Sequence, residues 1–234
     1  MDTELALLKE KIPQRIYNEL ESQGFNALRP SQTKAIQKGL FDHNNLLICT
    51  PTASGKTLVG ELAILQSILI DKKKAIYIVP LKALANEKYK DFKKKYEGTC
   101  KIALSIGDTD SAESYLGEYD IIITTSEKLD SLMRHHTPWI SEVGCVVVDE
   151  IHQLNDSRRG PTLEIVITIL RSVLTKIQLI GLSATIGNPK ELAEWLGANL
   201  VEDSWRPTEL KEGIYVDNKI HFSKQLVKES TNTE

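Results

Sequence analysis

Six short apolar runs, rich in β-branched residues, constrain this chain more than any other feature. They are "NLLICT" (45–50), "KAIYIVP" (74–80), "CKIALSIG" (100–107), "YDIIITT" (119–125), "GCVVVDE" (144–150) and "IQLIGLSAT" (177–185). Each is continuously apolar rather than alternating, the pattern of a strand covered on both faces and therefore of a parallel sheet. Between them lie stretches of helical period: "GKTLVGELAILQSIL", "LANEKYKDFKKKY", "SEKLDSLMR" and "TLEIVITILRSVL". Strand–helix alternation over about 150 residues predicts an α/β fold, a doubly wound, mostly parallel sheet with helices on both faces. Ligands of such sheets bind at the carboxyl ends of the strands.

Two amphipathic segments, around 13–23 and 31–40, precede the first strand, and the alternation stops after "PKELAEWLG". The expected organisation is a helical segment over 1–40, the α/β domain over 41–200, and an exit segment over 201–234. In the exit segment, "ELKEGIYVDNKIHF" suits a hairpin turning at Asp217-Asn218, and the polar last dozen residues suit a frayed linker end. The chain reads as one domain, cut where another would begin.

A hydrophobic content of 41% supports a real core. The net charge of −3 points to no polyanion partner, so nucleic acid would have to be held by local patches and backbone amides. The acidic start "MDTELALLKE" lacks signal-peptide order, and "LVGELAILQSILI" contains Glu61 and Gln66 and is too short to span a bilayer. No membrane role is expected. Cys49, Cys100 and Cys145 are odd in number and have no CxxC pairing, which suits buried, reduced thiols in a cytoplasmic protein.

The stretch "TPTASGKT" (50–57) joins the first apolar run to a helix, the setting a phosphate-binding loop needs. Its segment Thr52, Ala53, Ser54 and Gly55 would wrap the phosphates. Gly55 lets the backbone approach them, and the amides at the helix start point at the anion. Lys56 can reach the β- and γ-phosphates, and the Thr57 hydroxyl can ligate Mg²⁺. Thr50 stands where such loops usually begin with glycine. That exchange is tolerable if Thr50 is extended, as the following Pro51 favours.

"CVVVDEIHQLND" sets Asp149 and Glu150 at the end of a buried strand. An Asp there can hold the Mg²⁺ of ATP, and the adjacent Glu can polarise the attacking water. His152 follows three residues after Asp149, and "LSATIGNP" ends the sixth run with two hydroxyls, Ser183 and Thr185. His152 alone reads equally as a surface or core residue, and the SAT segment as a Ser/Thr turn.

The order "TPTASGKT", "DEIH", "SAT" resembles motifs I, II and III of superfamily-two helicases. Over about residues 20–216 the chain is similar to the first RecA-like domain of Ski-like helicases of DEAD/DEAH type, especially the archaeal replication-fork DNA helicases of that group. "GFNALRPSQTKAI" resembles the adenine-recognising Q motif, which implies Gln32 as base reader and Phe25 as stacking partner. "VPLKALANEKY" resembles motif Ia and "TTSEKLDSLMR" motif Ib, which contact the nucleic-acid backbone in that family. The resemblance implies that Lys56 and Thr57 bind ATP–Mg²⁺, Asp149 holds the metal, and Glu150 directs hydrolysis. It further implies that His152, Ser183 and Thr185 relay nucleotide state to the nucleic-acid side. "DEIHQLNDSRRGPTLE" keeps the group's Asp156, Arg159-Gly160 and Glu164 spacing. Ala53 and Asn155 depart from it, each standing where glycine is frequent.

For nucleic acid the candidates are Pro80, Lys82, Thr125, Ser126 and Arg159, at or just past expected strand ends, where phosphates are gripped without reading sequence. Lys82, Lys88, Lys90 and Lys93 to Lys95 form the strongest basic cluster, though a "KKK" run is more often a solvated helix face. Trp139, Trp195 and Trp205 read as packing anchors, and His135-His136 as helix-end residues. The expected partners are single-stranded or forked DNA, with RNA open, and a second RecA-like domain, whose Q-x-x-G-R-x-G-R arginines have no counterpart here. Without them the chain should bind ATP but hydrolyse it slowly, since an arginine finger is worth roughly 10³–10⁵ in kcat. The competing readings are an RNA helicase, a non-hydrolysing ATP-gated binding module, and a small-molecule P-loop kinase, which would leave the SAT and Q-like segments without a role.

Overall fold

The computed structural model describes residues 2–107, 113–135, 137–174, 176–208, 213–216 and 219–222. Strands β1 (Thr3–Glu4) and β2 (Ala27–Leu28) pair antiparallel around helix α1 (Gln14–Ser22), and α2 (Pro30–Gln37) follows. The central sheet comprises β3 (Leu46–Cys49), β4 (Lys74–Val79), β5 (Ile102–Ser105), β6 (Ile121–Thr125), β7 (Val143–Val148), β8 (Gln178–Ser183) and β9 (Asn199–Glu202). Its order is β5-β6-β4-β7-β8-β3-β9, and every neighbouring pair is parallel. The remaining helices are α3 (Lys56–Leu65), α4 (Lys82–Tyr96), α5 (Ser126–Arg134), α6 (Gly160–Val173) and α7 (Pro189–Leu196). This is a RecA-like α/β fold.

The continuous apolar runs do what their pattern requires. Leu46, Ile48, Tyr77, Val147 and Leu182 face a core shared with α1 to α4. The intervening Leu47, Ile76, Ile78, Val146 and Val148 face a second core beneath α5, α6 and α7. Alternation across the pleat sends successive side chains to opposite faces, so each strand must be apolar at nearly every position. The three cysteines are free and buried, and burial pushes the Cys49 thiol up to about 11.

One expectation needs correction. The alternation does not stop after "PKELAEWLG", because β9 extends the sheet beyond residue 200. It is an edge strand in which only Val201 is buried, so its four residues carry no apolar run. In the N-terminal segment, Leu5, Leu8, Ile16, Leu20 and Leu28 belong to the same core as the sheet. Strands β10 (Gly213–Val216) and β11 (Lys219–Phe222) do pair antiparallel as expected. Their turn at Asp217-Asn218, like the polar C-terminal dozen, lies outside the described residues.

No helix among the described residues is long and apolar enough to cross a membrane.

Candidate nucleotide site and adjoining groove

Strand order sets the carboxyl ends of β3, β8 and β7 side by side, and the loops that leave β3 and β7 meet in one cleft of about 370 Å³. Thr52, Ala53, Gly55, Lys56 and Thr57 line it from one side, Asp149 and Glu150 from the other. Lys56 is only 7% exposed, and its Nζ lies 4.0 Å from Glu150 Oε1. Residues 94 positions apart in the chain thus converge, as the motif reading requires.

The loop is held by its own unusual residues. Thr50 is not among the residues with positive φ, so the missing glycine costs no backbone strain. Its Oγ1 instead lies 2.7 Å from Ser54 Oγ, a hydroxyl pair that pins the loop and that a glycine could not make. Ser54 is 1% exposed, so its hydroxyl is committed to that pair. Gly55 has φ +90°, and a Cβ there would come within 2.6 Å of Gln32 Nε2. Ala53 adopts φ +63°, which explains why glycine is frequent at its place; a left-handed L-residue costs roughly 1–2 kcal/mol.

Gln32 is 4% exposed and clasps the loop: its Oε1 accepts the Arg29 N–H at 2.8 Å, and its Nε2 donates to the Gly55 carbonyl at 2.9 Å. One N–H and one lone pair remain for a base. Phe25 and Gln32 line a second cleft, contiguous with the first at Gly55, Thr57 and Lys88. Arg29, which the sequence reading did not single out, donates to the Ala53 carbonyl at 2.8 Å. Its guanidinium lies 5.5 Å from the Trp205 ring centroid, so the exit segment is tied to the phosphate loop.

Asp149 is fixed at both oxygens. Oδ1 accepts the Glu150 N–H at 3.0 Å, and Oδ2 accepts the Tyr77 hydroxyl at 2.8 Å. Burial, and then the Asp149 carboxylate, push the Tyr77 hydroxyl well above the tyrosine range, so Tyr77 stays a donor. Glu150 sits at φ +52°, a strained conformation of the kind that collects at functional sites. Its Oε2 lies 3.4 Å from His152 Nδ1, which also receives the Ala184 N–H at 3.4 Å. His152 therefore touches both the acidic strand tip and the SAT segment. Thr185 is exposed, whereas Ser183 is wholly buried, its hydroxyl enclosed at the end of β8 beside the Cys49 thiol. Of the two hydroxyls expected to relay, only Thr185 reaches the surface.

Thr57 Oγ1 and Asp149 Oδ2, the two oxygens expected to hold Mg²⁺, are hard donors of the type that ion prefers. The Lys88 ammonium lies 3.3 Å from the first and 3.5 Å from the second, so a cation fits between them. The sequence places Lys88 in a basic cluster; in the structure it faces the cleft of Lys56 and Asp149. Lys95 also turns inward, to Glu61 at 2.9 Å.

The carboxyl ends of β4, β5 and β6 open on a separate groove of about 630 Å³. Pro80, Lys82, Thr125 and Arg159 line it, four of the five nucleic-acid candidates. Ser126 does not. Thr125 also caps α5, accepting the Lys128 N–H at 3.4 Å. Lys128 Nζ is paired with Glu113 at 2.7 Å; Lys82 and Arg159 carry positive charge at the rim.

Arg159 is positioned by Asp156, whose Oδ1 accepts the N–H groups of Arg158 and Arg159 at 2.9 Å each, and by Gly160. A Cβ on Gly160 would stand 2.2 Å from the Leu154 carbonyl oxygen, a clash with backbone that no side-chain rotation relieves. Gly160→Ala is expected to cost about 1–3 kcal/mol, the usual range for overpacking, read as a lowered midpoint in urea unfolding.

A family model described as DEAD/DEAH box helicase matches residues 29–192. "ATP-dependent DNA helicase Hel308" of Methanococcus vannielii is 53% identical over 214 residues, 88% of this chain and 28% of that protein. The protein of the same name from Methanocaldococcus jannaschii is 55% identical over 222 residues, 92% of this chain and 18% of its own length. Among solved structures, "Crystal Structure of DUF1998 helicase MrfA bound to DNA and AMPPNP" superposes with a TM-score of 0.69 at 32% identity, covering 83% of this chain and 30% of that one. The chain spans less than a third of the length of these relatives.

Proposed function

Because the chain belongs to the DEAD/DEAH box helicase family, we propose that it is the N-terminal ATP-binding motor domain of an ATP-dependent DNA helicase. The observation that carries this reading is the convergence of Lys56, Thr57, Asp149 and Glu150 on one cleft. Lys56 and the loop amides grip the triphosphate, Gln32 and Phe25 take the adenine, and Thr57 and Asp149 hold Mg²⁺. Bound there, the metal would neutralise charge on the phosphates. Glu150 orients the attacking water and accepts its proton, the role of a base at hydrogen-bond reach. His152 passes the state of this acidic tip to the SAT segment through its contact with Ala184.

The track for nucleic acid is the groove of Pro80, Lys82, Thr125 and Arg159, with Ser126 contributing at most its backbone. Hydroxyl and cationic groups at strand ends suit the sugar–phosphate backbone, and binding should weaken with salt. Single-stranded and forked DNA is the favoured substrate, supported by relatives named DNA helicases and by a solved neighbour bound to DNA. The setting is then cytoplasmic, at the nucleoid. A second RecA-like domain would close the cleft and supply arginines, so the 234-residue chain should bind ATP–Mg²⁺, hydrolyse it slowly and unwind nothing.

The test is a paired measurement. The purified chain should bind a fluorescent ATP analogue and show salt-sensitive single-strand binding at ~10⁻⁴–10⁻⁶ M. In the longer two-domain protein, single-stranded DNA should stimulate ATP turnover more than RNA does. Stronger stimulation by RNA would replace the DNA assignment; duplex unwinding by the chain alone would refute the two-domain requirement.

A further inference from the structure

We propose that Lys88 is a built-in competitor of the catalytic metal: its ammonium bridges the Thr57 hydroxyl and the Asp149 carboxylate and must leave when Mg²⁺ arrives with nucleotide. This rests on the nucleotide reading above and adds a positioning residue to it.

Helical spacing first sets Lys88 apart from the other lysines of α4. Ala85, Phe92 and Tyr96 are the buried residues of that helix, and Lys88 falls on the same stripe, three residues after Ala85 and four before Phe92. Its side chain is 20% exposed, against 51% for Lys93. The stem is directed inward: Nζ lies 5.8 Å from the Tyr77 ring centroid, and Tyr77 in turn packs edge-on against Phe92 at 5.2 Å. A lysine on an apolar stripe needs an anionic destination, and here that is Asp149 Oδ2 at 3.5 Å, with Thr57 Oγ1 at 3.3 Å.

Those two oxygens come from different strand tips, β3 through its loop and β7. One ammonium between them bridges both tips. A magnesium ion held by Thr57 and Asp149, directly or through water, would bring a second cation to oxygens that the ammonium already contacts, so the two would compete for them. Metal alone must displace Lys88 without help; metal carried on a triphosphate brings anionic oxygens that give the displaced ammonium a new partner. Lys88 thus disfavours bare metal and supports nucleotide when metal is scarce.

The experiment measures the dissociation constant of a fluorescent ATP analogue for the full 234-residue chain, in excess Mg²⁺ and in EDTA. In Lys88→Met, EDTA binding should weaken, because Asp149 is left unneutralised beside the phosphates, while binding in Mg²⁺ should hold or tighten. The ratio of the two constants should therefore rise about tenfold, near 1.4 kcal/mol. Binding of Mn²⁺ without nucleotide, followed by the loss of its free-ion EPR signal, should tighten in parallel. A residue that merely supports the fold would move both constants together, and an unchanged ratio overturns the proposal. If Lys88→Met does not fold, Lys88→Gln makes the same test. Failure of the unsubstituted chain to bind the analogue under either condition would instead sink the nucleotide reading itself.

Discussion

A Lys56→Ala chain should keep its fold and lose about a hundredfold in affinity for ATP–Mg²⁺. Lys56 enters the cleft from the first turn of α3, nearly enclosed, with Glu150 as its nearest anion. Its ammonium can make two charge-assisted bonds to phosphate oxygens, each worth about 1.5–3 kcal/mol, so losing ~3 kcal/mol in net binding is about two decades in affinity. Removal also leaves the carboxylates of Asp149 and Glu150 facing the triphosphate. Calorimetric titration with a slowly hydrolysed ATP analogue reads the loss directly, and an unchanged urea midpoint separates it from unfolding. A decrease below threefold would mean that the phosphates lie elsewhere.

The second large effect belongs to Glu150. In the two-domain protein, Glu150→Gln should retain nucleotide binding and lower turnover by about 10²–10⁴, the range a positioned general base supplies. The amide keeps the shape of the carboxylate and has no basicity. Lys56 and His152 each lose a charged partner, and the amide offers one oxygen and one NH₂ where the carboxylate had two oxygens. Steady-state ATPase with saturating single-stranded DNA measures it. Turnover equal to that of the unsubstituted protein would favour a non-hydrolysing, ATP-gated binding module.

What could be read before any coordinates were available divides along a physical line. The six covered strands announce themselves because a strand buried on both faces leaves nowhere for polar side chains, and the candidate site residues stand at their ends. β9 was illegible for the converse reason: with one residue in four buried, an edge strand has no pattern to show. Ser183 and Thr185 are two positions apart, yet one is sealed in the sheet and the other is open, because the strand ends between them. Lys88 looked like one basic residue among several. Its registration with Ala85, Phe92 and Tyr96 is present in the spacing, three residues after the first and four before the second. Arg29 could not have been found that way, as its hydrogen bond to Ala53 spans 24 residues and follows from the three-dimensional path of the loop.

The placement of β3 has a consequence for how the molecule comes into being. Its hydrogen-bonding neighbours in the sheet are β8 and β9, segments translated well over a hundred residues later. Pairings of such sequence separation are entropically slow to close, and chains emerge from the ribosome at only ~5–20 residues per second. The loop after β3 is thus synthesised well before the strands that fix its place in the sheet. A nascent chain that stops short of residue 178 carries every atom of the loop and neither of the strands that bind β3 into the sheet.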